Sequence, residues 1–567
     1  MGEGVRRGVR RGLHRYGWLG AALLVGIAAP LAVAGLSGNL SIPHNDAWSY
    51  SRIAEHFAET GRIRLLGWNR SALLGQVVVL GPLGRSLVAQ QVFVAVLGAV
   101  LLFCVHEILA PRVGPRRAGV AVAALSFWPG FTLLTTSFMA DIPTVAAAFL
   151  ALYLGDLALR RDRAWILGLA VLAGLWACTI RIQGIAAPVA ILFVALTQSG
   201  AGHRIRRRHV VALAVVFAGL LAAFSLWQSR LPDGDHVALA LRPDPLDSVS
   251  LNSVRAYFEL ALVVGPVALL VARPARWRTR GWVAALAVAL VGGLAYRQTG
   301  ARGFFLPNYL SSNGAYTEAL APDRVVFSES HWRLVVLFAL ICGALLAAEL
   351  TRPRVRDVPL LTAFGVLTIA GTAVTFAADQ QVYGRYLIPL APWILLRVLT
   401  PTAEPETLRP RGLRRFAVTA APRLTGVVAL LAVFGLSSAI AANAWAFDRT
   451  RWDVGTAQER RGVPATRIDA GMEWLGWHSP RGVIDRDHAG GSFAGLFSKS
   501  PSCVVVSTEA KPNPPAAWRL VGDVPYRRFL VAGEARLFLY ETGAAGCGAA
   551  DKAESGARPP KAEPRSP

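Results

Sequence analysis

The hydrophobic pattern is a long series of apolar runs separated by polar segments. Each run covers about 15–22 residues with almost no charge, enough for an α-helix to cross a hydrocarbon core of about 30 Å. The predicted spans lie at 17–36, 86–109, 118–135, 138–159, 164–180, 184–198, 210–229, 258–272, 281–296, 333–350, 358–377, 386–399 and 424–444. About 13 crossings predict an all-α polytopic membrane protein whose two ends lie on opposite sides.

Every second segment between the runs is rich in arginine. The clusters lie at 112–117, 160–163, 204–208, 273–280, 352–356 and 409–415. Positively charged loops stay on the cytoplasmic side, so these clusters and the basic residues 1–16 are predicted to be cytoplasmic. The membrane domain, 17–444, then places its long loops outside. These loops are 37–85, 230–257 and 297–332, with a shorter one at 378–385.

The residues after the last span predict a small external α/β domain at 445–543. The elements are a helix at 445–461, a buried strand at 502–507 and a hairpin at 527–540 with its turn at Ala532–Glu534. The tail 544–567 is rich in Pro, Ala, Lys and Glu and is predicted to be disordered. Cys503 and Cys547 fall on this side, where an oxidising compartment permits a disulfide.

Composition agrees with a membrane protein and argues against a nucleic-acid partner. The chain is 54% apolar and only 17% charged, whereas a soluble chain carries about 25% charged residues. The net charge of +24 is typical of nucleic-acid binding, but the arginines lie in short clusters between apolar runs and not on one basic domain. The sequence therefore predicts a multi-pass protein of a bacterial plasma membrane, in contact with membrane lipid.

The first outer loop carries an acid close to the membrane. Asp46 precedes the segment 47–60, whose periodicity predicts an amphipathic helix lying in the membrane interface. A carboxylate at that position either caps the helix or acts as a general base toward a hydroxyl acceptor. The neighbouring His44, Asn45 and Tyr50 are candidate supporting residues.

A second acid, Asp141, lies at the outer end of the span 138–159. It stands in Ser-Phe-Met-Ala-Asp-Ile-Pro, and Pro143 suits the first turn of a helix. Asp141 is therefore either a helix cap or a functional acid, which is the default for an ionisable group facing the inside of a bundle. Together with Asp46 it forms a pair of candidate catalytic carboxylates on one face.

Two arginines break the rule that arginine lies on the inner face. Arg181 and Gln183 follow the fifth span in Thr-Ile-Arg-Ile-Gln-Gly, and Arg385 lies between Tyr383 and Tyr386. A planar guanidinium at the outer surface suits a phosphate, although an arginine beside tyrosines also serves as an interfacial anchor. The sequence predicts a phosphate site at Arg385 and Arg181, supported by Gln183 and the two tyrosines.

Taken together, these motifs resemble the GT-C superfamily of membrane glycosyltransferases. The closer likeness is to the bacterial branch akin to protein O-mannosyltransferases and lipid A aminoarabinose transferases. The motifs are the early Asp46, Ser-Phe-Met-Ala-Asp-Ile-Pro, Arg-Ile-Gln-Gly and Gly-Arg-Tyr-Leu-Ile-Pro-Leu-Ala-Pro. The resemblance covers roughly residues 1–400 and implies a GT-C-like arrangement of the spans.

The resemblance implies transfer of a sugar from a polyprenyl-phosphate carrier to a glycan, lipid or protein acceptor outside the cell. It assigns catalysis to Asp46, matches Asp141 to a second external acid, and gives Arg385 the carrier phosphate. Many members place a second acid beside the first, where this chain has Asn45 and Ala47. No cofactor is therefore assigned, and use of a divalent metal stays open.

Two other classes of function stay open from the sequence. A transporter or lipid flippase would show charged span centres, broken helices and an internal repeat, whereas the span centres here are almost wholly apolar. A non-catalytic envelope assembly protein would use its external domain to bind a partner. A nucleotide donor is not indicated, because the sequence holds no Walker loop and no Rossmann glycine motif.

Overall fold

The structure is a computed structural model of the 567-residue chain. It describes residues 15–66, 74–199, 204–231, 241–272, 277–311, 326–353, 358–378, 382–401, 413–480, 497–498, 500–510, 518–530, 534–544 and 547. The basic segment 1–14 and most of the tail 544–567 lie outside these residues.

The described residues are mostly helical. The helices are α1 (Arg15–Leu36), α2 (Ala47–Thr60), α3 (Leu74–Leu80), α4 (Leu87–Val113), α5 (Pro115–Ser126), α6 (Phe131–Thr135), α7 (Asp141–Arg161), α8 (Ala164–Ile180), α9 (Ala186–Gln198), α10 (Arg207–Ser229), α11 (Pro245–Val271), α12 (Thr279–Thr299), α13 (Glu329–Leu350), α14 (Pro359–Ala377), α15 (Ala391–Leu399), α16 (Leu413–Arg460) and α17 (Met472–His478).

Nine of the described helices are long and apolar enough to cross a membrane, which confirms a multi-pass membrane protein. They are α1, α4, α7, α10, α11, α12, α13, α14 and part of α16. The other predicted spans are also helical but shorter. The span predicted at 118–135 is divided into α5 and α6 around Gly130, whose φ of +90° turns the chain. The span predicted at 386–399 begins as a 3-10 helix, Gly384–Leu390, and continues as α15.

The bundle has a buried centre and a lipid-facing rim. In α7, 72% of the residues in its most apolar stretch are buried inside the bundle. The corresponding shares for α10 and α12 are only 11% and 17%. Small residues allow close helix packing at the centre, as where Gly155 of α7 contacts Ile191 of α9. The exposed apolar side chains of α10 and α12 suit contact with acyl chains.

The C-terminal residues form a small unit with a four-stranded sheet. Its strands are β1 (Ile468–Asp469), β2 (Val504–Ser507), β3 (Arg519–Arg527) and β4 (Glu534–Glu541), in the order β1-β2-β4-β3. The first pair is parallel and the other two are antiparallel. Cys503 and Cys547 form a disulfide with their Cα atoms 5.5 Å apart, which ties the start of β2 to the end of the unit.

Two details of the predicted C-terminal elements differ from the structure. The helix predicted at 445–461 is not separate, because α16 runs unbroken from the last span to Arg460. The hairpin exists, but its first strand is β3 at Arg519–Arg527, so most of the predicted first strand lies in the connection. The alternation of apolar residues does not decide where the first strand of the hairpin lies, because the pairing of that strand with β4 sets its position.

Candidate active site

Asp46 lies in the connection between α1 and α2, at the end of the bundle that adjoins the C-terminal unit. Asn45 before it has a φ of +54°, a left-handed conformation that asparagine tolerates better than most residues. Although Asp46 stands at the N-cap position of α2, its side chain makes no capping hydrogen bond. The geometry therefore does not support the capping role, and the general-base role stays the prediction for this residue.

Asp141 gathers two arginines onto one oxygen. Its Oδ1 accepts hydrogen bonds from Nη1 of Arg181 and from Nε of Arg385, each at 3.1 Å. Asp141 is buried, and its Oδ2 has no hydrogen-bond partner among the described residues. The N-cap position of α7 is occupied by Ala140, and Asp141 is the first residue of the helix. Asp141 thus holds two guanidinium groups in place, and its catalytic role stays a prediction.

Tyrosines line the faces of both guanidinium groups. The carbon centre of Arg385 lies 4.4 Å from the ring centroid of Tyr383 and 5.5 Å from that of Tyr386. Arg181 lies 5.6 Å from the Tyr386 centroid, and its Nη2 is 3.5 Å from the hydroxyl of Tyr50. Such cation–π contacts fix the planes of both groups. Burial raises the pKa of Tyr383 to about 12, so its phenol stays protonated at neutral pH.

Asp46 belongs to the same cluster as the arginines. Its charge interacts with Arg385 and with the phenols of Tyr50 and Tyr383. Arg385 is only 3% exposed, and its Nη1 has no partner within the described part of the chain. The structure therefore brings together residues from four distant segments, with a guanidinium N–H that a bound anion would satisfy.

Tyr309 and Glu259 belong to this region but were missed by the sequence analysis. Tyr309 is buried and interacts electrostatically with Arg385 and Asp46, and its ring packs so closely on Gly130 that a Cβ there would overlap it. Glu259 of α11 packs against Gly384, the residue before Arg385, so closely that a Cβ at Gly384 would overlap its carboxylate. An acid inside an apolar run was the available signal for Glu259. The 297–332 loop offered none for Tyr309.

Gln183 and His44 do not contribute to the cluster as predicted. Gln183 is exposed in the 3-10 turn after α8. His44 is buried and directed toward the C-terminal unit, where its Nδ1 lies 2.7 Å from Oδ2 of Asp448 on α16. His44 thus links the loop after α1 to α16 and does not line the arginine cluster.

This link continues as a buried polar network into the C-terminal unit. Nη2 of Arg451 donates to Oδ1 of Asp448 at 3.4 Å and to Oε2 of Glu473 on α17 at 2.5 Å. All these side chains are at least nine-tenths buried. Burial raises the pKa of Glu473, and the Arg451 charge opposes that rise. The network joins the loop that carries Asp46 to both α16 and α17.

Helix α17 also packs directly on α2. The Trp48 ring lies beneath Gly476 and makes an edge contact with Phe497, with 5.5 Å between ring centroids. Nη1 of Arg52 donates to the backbone oxygens of Gly476 and Ser479, at 2.9 and 2.6 Å. The C-terminal unit therefore packs on α2 and supports the position of Asp46.

We expect Gly476→Ala to weaken this contact and reduce activity. A Cβ at Gly476 would overlap the Trp48 indole, so α2 or α17 must move, at a cost of about 1 kcal/mol or more. The first measurement is the thermal unfolding midpoint of the purified protein. The second is the rate of the expected sugar transfer by membranes that hold each variant at matched expression. Gly435→Ala in α16 is the control, because its Cβ would meet nothing within 4 Å. Equal behaviour of the two variants would contradict the packing role of Gly476.

A metal site is not evident from side-chain clustering. Among the residues that the structure describes, no three His, Cys, Asp or Glu side chains are grouped so that they could hold a metal ion. Metal dependence therefore stays as open as it was from the sequence.

Comparison with known proteins finds one family model and two solved structures that are similar to this chain. Residues 79–227 match the family described as dolichyl-phosphate-mannose-protein mannosyltransferase, which confirms over this region the resemblance found in the sequence. No curated protein matches the chain. Among solved structures, ArnT from Cupriavidus metallidurans bound to undecaprenyl phosphate is 13% identical with a TM-score of 0.40, and the alignment covers 94% of this chain and 99% of that one. The apo state of the same protein is 14% identical with a TM-score of 0.39, covering 92% and 98%.

Proposed function

We propose that this chain is an integral membrane glycosyltransferase that moves a sugar from a polyprenyl-phosphate-linked donor to an acceptor on the extracytoplasmic face. The observation that carries the proposal is the pair Arg181 and Arg385, which both donate hydrogen bonds to Asp141, together with the charge interaction between Arg385 and Asp46. The family matched by residues 79–227 supports it, since its description names a dolichyl-phosphate sugar and a mannosyl transfer.

Arg385 and Arg181 bind the donor phosphate in this proposal. A guanidinium group offers parallel N–H donors that match phosphate oxygens, and Asp141 with the tyrosines fixes its plane beforehand. Nη1 of Arg385, which has no hydrogen-bond partner among the described residues, supplies a further donor for the phosphate. Because the lipid tail of the donor stays in the bilayer, a site at the outer ends of α7 and α8 is reachable from the membrane.

Asp46 acts as the general base. The acceptor hydroxyl oxygen forms a bond to the anomeric carbon of the sugar, and the bond from that carbon to the phosphate oxygen breaks. The lipid phosphate leaves with the electron pair, held by the two arginines, while the hydroxyl proton passes to the Asp46 carboxylate. The acceptor is a glycan, lipid or protein of the cell envelope.

The proposal is tested with membranes that contain the chain and a panel of polyprenyl-phosphate sugars. We expect loss of one lipid-linked donor from the panel and release of the lipid phosphate when envelope acceptor is present. Membranes prepared from the same host without the chain provide the blank. If no donor is consumed above that blank, the proposed activity is wrong, and a transporter or assembly role gains support.

The proposed orientation predicts that the C-terminal unit lies outside the cytoplasm. Alkaline phosphatase fused after Gly543 should be active and green fluorescent protein fused there should be dark, because each folds only on one side. A fusion to the arginine-rich loop 352–356, after α13, should behave in the opposite way. A fluorescent C-terminal fusion would overturn the orientation.

A further inference from the structure

The hairpin of β3 and β4 runs down α16 toward the membrane. The Tyr526 ring packs on Phe447, with 5.8 Å between centroids. Three residues later, the backbone N–H of Phe529 donates to Oδ1 of Asn443, and Nδ2 of Asn443 donates to the Phe529 oxygen, both at 3.0 Å. Since α16 leaves the membrane in the direction of Arg460, a contact at Asn443 is deeper than a contact at Phe447.

The depth of Asn443 in the membrane can be judged from its position along α16 relative to the end of α1. Nη1 of Arg449 donates to the Gly38 oxygen at 3.4 Å, just beyond the last residue of α1, and Leu36 before it is 92% exposed. Arg449 also forms an exposed ion pair with Asp453, as expected in water. Asn443 lies six residues before Arg449, or about 9 Å deeper along the helix axis. It also falls within the span predicted at 424–444.

The hairpin end presents apolar side chains at this depth. Phe529 and Leu530 are 43% and 70% exposed in the structure, and Arg527 beside them is also exposed. Leu530 has a φ of +62°, a left-handed conformation that is strained for a leucine. In water, this strained backbone would expose a large apolar side chain to solvent, which is unfavourable. In a lipid interface, the same geometry is stabilised by burial.

We propose that residues 527–530 insert into the bilayer leaflet on the side of the C-terminal unit. Phe529 and Leu530 enter the boundary between headgroups and acyl chains, and Arg527 meets the lipid phosphates above them. The partner is the lipid surface, because the double hydrogen bond to Asn443 fixes the hairpin end below the exposed ion pair of α16. This anchor is independent of the reaction that the protein catalyses.

The anchor would fix the tilt of the whole C-terminal unit. The unit touches the bundle through Asn443 and Phe447 at one side and through the α17–Trp48 contact at the other. Three supports, one of them lipid, define its orientation more firmly than two.

Depth-dependent fluorescence quenching tests the anchor directly. Leu530→Cys is labelled with an NBD maleimide in the full-length protein, reconstituted in phosphatidylcholine–phosphatidylglycerol nanodiscs with or without doxyl-labelled lipid. The three free cysteines, Cys104, Cys178 and Cys342, are buried, and Cys503 is bonded to Cys547, so labelling is selective. Leu520→Cys is the matched control, because Leu520 is 51% exposed near the far end of β3.

We expect the label at position 530 to emit at shorter wavelength and to lose most of its emission with doxyl groups near the headgroup. The label at position 520 should keep its emission. Phe529→Cys should repeat the result for position 530, which guards against an effect of one side chain. Equal quenching at 530 and 520, or none at 530 and 529 in folded protein, would overturn the proposal.

Discussion

Asp46→Asn should lower sugar transfer by about 10²–10⁴-fold, the usual effect of removing a general base. Asparagine keeps the size and hydrogen-bonding shape of the side chain but cannot accept the acceptor's proton. Since Asp46 makes no cap on α2, the substitution should leave the fold intact. The measurement is turnover of lipid-linked donor in membranes at matched expression, with unfolding of the purified variant followed in parallel.

A matched control for Asp46→Asn is Asp453→Asn, which removes an exposed carboxylate paired with Arg449 on α16. Exposed ion pairs contribute only about 0–1 kcal/mol, so this variant should turn over normally. Near-normal turnover of Asp46→Asn would remove the base from the proposed mechanism. Loss of activity in both variants would point to a general effect of charge outside the membrane.

The helices could be predicted because each follows from a local property of the chain. A run without charge has one stable form in lipid, a helix that satisfies its own backbone, so composition alone located α1, α4 and α7. Where local signals conflict, the prediction was coarser. Residues 118–135 form one apolar run in the sequence, but the chain turns at Gly130. The Tyr309 ring, from another loop, occupies the space that a side chain at position 130 would fill.

The candidate site was predictable only as a set of residue types on one face. The sequence placed Asp46, Asp141, Arg181 and Arg385 outside, but it could not show that both arginines share one oxygen of Asp141. That contact joins residues 40 and 244 positions apart, and no periodicity carries such information. The pairing of His44 with Asp448, which are 404 residues apart, was hidden for the same reason.

The burial of Arg385 also shows why sequence context alone does not distinguish an interfacial anchor from a binding residue. Arg385 has the sequence context of an interfacial anchor, with a tyrosine two residues before it and another directly after it. An anchor would extend to the headgroups, whereas Arg385 is 3% exposed and is enclosed by Asp141 and the two rings. The burial, which the sequence could not reveal, is what favours a binding role.

Arg385→Lys should therefore weaken use of the lipid-linked donor by about 10- to 100-fold, which corresponds to about 1.5–3 kcal/mol for hydrogen bonds to a charged group. Lysine keeps the positive charge beside Asp141. It cannot stack on Tyr383 as a plane, and it cannot offer one N–H to Asp141 and another to phosphate in a fixed direction. We expect the loss to appear mainly in the donor concentration needed for half-maximal rate.

The measurement is the donor dependence of transfer in membranes that hold wild type or Arg385→Lys at equal levels. Arg333→Lys is the control, because Arg333 pairs with Glu329 at the exposed start of α13 and makes no contact with the site. Its curve should superimpose on that of the wild type. If the Arg385→Lys curve superimposes as well, a charge without direction is sufficient at this position. Arg181, which shares Oδ1 of Asp141, would then be the residue that orients the phosphate.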